Sequence, residues 1–224
     1  MSNRFLVAPM VIALCVAGCL GAAAQRPDTC PSTLRTLFEY AQNRRTADLL
    51  ACEGAIAASA DVKLSTAFPM ALYVADPQRF TLRFVEAFPT SYGELMYGVY
   101  EIELAGVLRE PAFFTVRTLG RLAQGGNSIA VRKLLLGAPH TDGVMAEAFL
   151  EELGALLEKR PRDFAKAFSF LIEAERASVL GGLRGVLDRA HGREIAVSIR
   201  DLRDLSPEEK ASADMLIRSL EEAR

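Results

Sequence analysis

The chain has no tryptophan, only two histidines and no surplus of positive charge, and the last two shortfalls bear on function. Its 26 lysines and arginines stand against 28 aspartates and glutamates, a net charge of −2. No basic face is therefore expected, and nucleic acid is not a partner this composition attracts. His140 and His191 both lie next to a glycine or proline that ends a helical pattern. Lone loop histidines of that kind read as surface residues, and neither a metal nor a catalytic role is assigned to them. Nucleophile signatures are missing too: there is no Gly-x-Ser-x-Gly, no His-Glu-x-x-His and no glycine loop leading to a phosphate-binding lysine. No cofactor is expected. What the chain has instead is 50 % hydrophobic residues over 224 positions, the make-up of packed helices in one or at most two domains.

The first residues read as an export signal. Arg4 supplies the positive start, and Phe5 to Gly18 is apolar apart from Pro9. That run is too short to span a bilayer comfortably, and small residues follow it. Ala22-Ala23-Ala24 before Gln25 suits an ordinary signal peptidase. The competing Val16-Ala17-Gly18-Cys19 resembles the bacterial lipobox, with valine where leucine is usual. That resemblance implies lipidation of Cys19 and, because Leu20 follows rather than aspartate, no retention at the inner membrane. Residues 1–24 are thus expected to be removed, or cleaved before Cys19 in a lipoprotein attached to the outer membrane. The mature protein is expected in the periplasm. Losing residues 1–24 removes only Arg4, so 26 basic residues become 25 against 28 acidic ones.

Export changes the meaning of the cysteines, because the compartment is oxidising. Beyond the leader only Cys30 and Cys52 remain. A bridge between them would close a loop of about two dozen residues, worth about 3 kcal/mol by chain entropy. Two cysteines with no histidine nearby do not complete a zinc shell.

From residue 30 to 224 the chain reads as a succession of helices. One follows Pro31-Ser32, and a turn at Asn43–Arg45 leads into a second with Leu49, Cys52 and Ile56. A third runs from Asp61 to Ala75 and holds Pro69, which should kink it or delay its start. Asp76 caps the next, with Pro77 at its first position and Phe80, Phe84 and Phe88 at helical spacing. Ser91 to Glu94 reads as a capping box that opens a helix running to Arg109. Pro111 opens another, and Asn127 caps a short one. Thr141 or Asp142 caps a long helix with Met145, Phe149, Leu153 and Leu156 inward and Glu147, Glu151, Glu152 and Glu158 outward. Pro161 begins its partner with Phe164 and Phe168. Glycines 181, 182 and 185 weaken the following helix, which His191-Gly192 ends, and Ser206-Pro207-Glu208-Glu209 caps the last.

A proline followed three residues later by phenylalanine occurs at Pro77/Phe80, Pro111/Phe114 and Pro161/Phe164. Aligning Asp61 with Asp142 also lays Phe68 over Phe149 and Leu72 over Leu153. Over residues 61–172 this pattern resembles the degenerate HEAT-like repeats of bacterial exported proteins. The resemblance implies an all-α fold of stacked helical hairpins, a short α-solenoid; the alternative is an irregular helical bundle.

Two kinds of site are weighed. Glu94, Glu101 and Glu103 lie among tyrosines and are the candidates for a cell-wall hydrolase, which needs an acid of raised pKa in a groove. The Glu-Ser dipeptide usual in lytic transglycosylases is absent. Tyr73, Tyr92, Tyr97 and Tyr100, with Arg79 and Arg83 close by, are the candidates for a partner-binding face, aromatic anchors being frequent at such surfaces. The phenylalanines among them, Phe68, Phe80, Phe84 and Phe88, read as core. The expected function is a scaffold or interaction module for another envelope protein, without catalysis.

Overall fold

The structure is a computed structural model that describes residues 30–106 and 113–222. The leader with Cys19, residues 25–29, and Glu110 and Pro111 lie outside those residues. Among the described residues every regular element is a helix, so the protein is all-α.

Local chemistry explains most helix starts. Thr33 caps α1 (Leu34–Gln42) in a reciprocal box with Thr36. A turn with Arg44 at φ 54 leads to α2 (Thr46–Ala51) and α3 (Glu53–Ala57). Asp61 caps α4 (Val62–Ala75) by accepting the Lys63 N–H at 2.9 Å, and Pro69 lies inside this helix without ending it. Asp76 caps α5 (Pro77–Ala87), which has proline at its first position, where the missing N–H costs nothing.

The next segment corrects the sequence reading. It is not one α-helix to Arg109. It comprises a short α6 (Tyr92–Glu94), a π turn (Leu95–Val99) and α7 (Tyr100–Leu104). The Tyr100 N–H reaches back to the Leu95 carbonyl, the i→i+5 bond that defines a π turn. The helix then stops at Gly106, whose φ of 57 suits glycine. Nor does Ser91 form the expected capping box; its hydroxyl donates to the Glu94 carboxylate at 2.7 Å and caps no backbone N–H.

Beyond residue 112, Phe113 is left-handed at φ 58 and opens α8 (Phe114–Gln124). Asn127 caps α9 (Ser128–Gly137), accepting from the Ile129 and Ala130 N–H groups at 3.1 and 3.0 Å. A 3₁₀ turn (Ala138–His140) precedes α10 (Gly143–Lys159), then come α11 (Pro161–Phe168), α12 (Glu173–Val186), α13 (Arg189–Arg200) and α14 (Pro207–Glu221). Here too there are differences. Asp142 stands at the start of α10 but caps no N–H. His191 does not end a helix: α12 ends at Val186, and the His191 N–H is capped by Asp188 in the first turn of α13. At α14 the expected Ser206/Glu209 box forms in both directions.

Two of the three copies of the repeated phrase share a geometry; in the third, Pro111 lies outside the described residues and Phe114, expected one turn into the helix, is the first residue of α8. Asp76 and Arg160 take similar backbone angles, each N–H returns to a leucine carbonyl (Leu72, Leu156), and each carbonyl accepts the phenylalanine N–H of the next helix. Phe80 and Phe164 are thereby turned into the core. The helices pack across the chain as well as along it: α1 on α4, α4 on α5 and the π turn, α5 on α9, α8 on α9 and α10, α10 on α12, α11 on α9 and α14, α14 on α13. A row of rings crosses this stack, Tyr73–Phe84–Phe88–Phe149, with centroids 4.8, 5.7 and 6.4 Å apart. It links the first hairpin (α4–α5) to α10.

Arg160 joins the stack from outside. Its Nε donates to the Gln124 carbonyl at the end of α8 at 2.7 Å, while Nη1 meets Asp163 at 3.2 Å. Its guanidinium occupies the space a Cβ would need at Gly126, where φ is 94.

One glutamate expected outside is turned in. Glu147, Glu151 and Glu158 are exposed, but the Glu152 carboxylate fills the space a Cβ would take at Gly120 and accepts from Gln124 Nε2 at 3.1 Å. Burial raises the Glu152 pKa, against the opposing pull of Arg117 and Arg121. Folding therefore favours the protonated acid. The stability Glu152 contributes is full below its unfolded pKa and is lost as pH rises through the higher folded value. Glu152→Gln keeps the acceptor without the charge. We expect it to match or exceed the parent's Tm at pH 8, with the gap closing near pH 4. A parent that melts higher at pH 8 would mean that Arg117 and Arg121 outweigh the desolvation.

Candidate functional site

The four candidate tyrosines divide into two pairs. Tyr73 and Tyr100 are half-buried and pack on the core, Tyr73 with its ring on Phe84. Only part of each ring is open to solvent. Tyr92 and Tyr97 are 48 % and 64 % exposed. Phe68, Phe80, Phe84 and Phe88 are core, as their spacing suggests.

Tyr92, Tyr97 and Tyr100 all belong to the segment around the π turn, and Tyr73 to α4. Tyr97 lies inside the π turn and Tyr92 in the short α6 just before it. Gly98 lets the segment lie close on α4, because a Cβ there would stand 2.8 Å from the Thr66 methyl. The core side of the segment is held by Leu95, Val99 and Ile102. The Tyr92 hydroxyl donates to Asp142 Oδ2 at 3.2 Å, which raises the Tyr92 pKa. This explains the missing cap at α10: the Asp142 carboxylate is turned toward the tyrosine. Tyr92 is thus tied across to the start of α10, while no described residue pairs with the Tyr97 hydroxyl.

The three candidate glutamates each have a structural partner. Glu103 accepts the Thr115 N–H at 2.9 Å and the Thr115 hydroxyl at 2.6 Å, joining α7 to the first turn of α8. Glu101 pairs with Lys63 at 3.0 Å, and Glu94 takes the Ser91 hydroxyl. They do not converge on one groove. Arg83 bonds Glu53 and lies over Phe68, and Arg79 lies over Phe80, so both arginines brace the helix rather than flank the tyrosines.

Cys30 and Cys52 form the expected disulfide, with Cα atoms 5.5 Å apart. His191 Nε2 lies 3.6 Å from Glu158, and His140 is in the 3₁₀ turn. Among the described residues no three of His, Cys, Asp and Glu converge as metal ligands, and no helix is long and apolar enough to cross a membrane.

Sequence spacing missed two exposed apolar residues, Phe170 and Ile172, at 67 % and 65 %. A signal was there: Phe170 lies off the Phe164/Phe168 stripe. No protein-family model, curated protein or solved structure matches the chain.

Proposed function

We propose that this chain is an exported helical repeat module, HEAT-like in plan, that docks another protein of the cell envelope and makes or breaks no bond. In this reading the leader directs export and Cys19 carries a lipid that holds the mature chain at the outer membrane. The docking face is the outer side of the π turn, with Tyr97 as its anchor and Tyr92, held by Asp142, beside it. The single observation behind it is the exposure of Tyr97, 64 %, on a π turn, a device frequent at functional sites. An aromatic ring with a free hydroxyl is the kind of group that fills a partner's pocket.

The test is a photo-crosslinking residue placed at Tyr97 and, as a control, at Leu82, which is 56 % exposed on α5. Crosslinks to one envelope protein from position 97 alone are expected. Tyr97→Ala should then weaken that purified complex by roughly thirtyfold, the loss typical of a hot spot of about 2 kcal/mol. Its Tm should stay unchanged. Equal crosslinking from both positions, or full affinity in Tyr97→Ala, would remove the tyrosine face from consideration.

A further inference from the structure

A groove of about 400 Å³ lies between α9 and α11, away from the tyrosines. Its walls are two helical faces. Ser128, Ile129, Val131 and Arg132 come from α9; Asp163, Lys166 and Ala167 come from α11, with Phe170 just beyond its end. On α11 the positions 163, 166 and 167 are the side opposite the buried Phe164, Ala165 and Phe168. The two helices pack together, so this side is left open as a channel.

Its chemistry is lopsided. Ile129, Ala167 and Phe170 supply apolar surface over the buried Val131, with the Phe170 ring standing largely in solvent at the rim. Arg132 and Lys166 bring one cation from each wall, and among the described residues neither reaches a carboxylate at ion-pair distance. The single acid of the lining, Asp163, is taken by Arg160 at 3.2 Å. Next to Arg132, Lys133 points the other way, its Nζ donating to the Phe88 carbonyl at 2.7 Å. Thus two uncommitted cations face one apolar channel.

We infer that this groove binds a small amphipathic carboxylate, its apolar chain against Ile129, Ala167 and Phe170 and its anionic end between Arg132 and Lys166. The volume falls within the range of small-molecule sites. Charge-assisted hydrogen bonds to a carboxylate from two sides are the stronger kind, and they distinguish an acid from an alcohol of equal chain length.

The probe is decanoate, titrated calorimetrically into the mature protein, with decanol and decyltrimethylammonium as controls. One saturable site is expected for decanoate, with decanol at least roughly tenfold weaker, the effect of losing one charged contact of about 1.5 kcal/mol. Arg132→Glu/Lys166→Glu should abolish decanoate binding and leave the Tm unchanged, since both side chains are exposed. Phe170→Ala should weaken decanoate and decanol by the same factor. Equal affinity for the three probes, full binding by the charge-reversed variant, or sedimentation with phosphatidylglycerol vesicles in place of a saturable decanoate site would each overturn the inference. Tyr97→Ala should bind decanoate normally, so the groove and the tyrosine face stand or fall separately.

Discussion

Phe149→Ala is expected to destabilise the protein by about 3–5 kcal/mol, the range for a phenylalanine removed from a core that cannot collapse around the gap. Phe149 is fully buried in the middle of α10. Its ring meets Phe88, 6.4 Å away between centroids, and covers Gly137, where a Cβ would stand 2.7 Å from the ring edge. Leu95 of the π turn comes within 3.7 Å of the same point. Three elements besides α10 thus converge on one side chain, and each is held by other contacts, so none is free to move in. Thermal unfolding should fall by roughly 10 °C at 2–4 °C per kcal/mol for a chain of this size. Phe149→Leu should recover most of the loss. If Phe149→Ala melts within a few degrees of the parent, this junction is not packed as described.

Reduction of the Cys30–Cys52 bridge should cost about 3 kcal/mol and lower the Tm by roughly 6–12 °C. The bond ties the segment before α1 to the end of α2 across 22 positions. Inside that loop the core contribution is modest: Leu37, Phe38 and Ala41 of α1, with Leu49 of α2. Without the bridge these short helices depend on α1 packing along α4. Limited proteolysis of the reduced protein should therefore cut first between residues 30 and 60. Cys30→Ser should reproduce the shift without reductant. A reduced protein with an unchanged Tm would mean that α1 and α2 hold their place by packing alone.

The fold was largely legible because its signals are local. Proline at a helix start, an acid or asparagine before it and an apolar residue every three or four positions act within one turn. They placed α4, α5, α9, α11 and α14 nearly to the residue. What spacing alone missed depends on residues far apart in the chain. Gly98 lets the segment lie close on Thr66 of α4, and Glu152 turns inward where Gly120 leaves it room. Asp142 looks like a cap until Tyr92, fifty positions earlier, takes its carboxylate. Spacing did not separate the exposed Tyr92 and Tyr97 from the half-buried Tyr73 and Tyr100, because it does not register the change of period between 95 and 99 or the packing of α4 on α5. The groove between α9 and α11 was illegible because its cations lie on separate helices.

The ring row from Tyr73 to Phe149 also bears on how the molecule comes apart. In a linear array of hairpins, each unit leans only on its neighbours, and partial melting from either end is the natural failure. Interlocked rings spanning α4, α5 and α10 oppose that. Neither the α4–α5 pair nor α10 can move away without breaking an aromatic contact that the other supplies, so these three helices melt as one block. Fraying is left to the flanks, the α1–α3 segment and the α12–α14 end, and the apparent cooperativity of the whole chain is that of its centre.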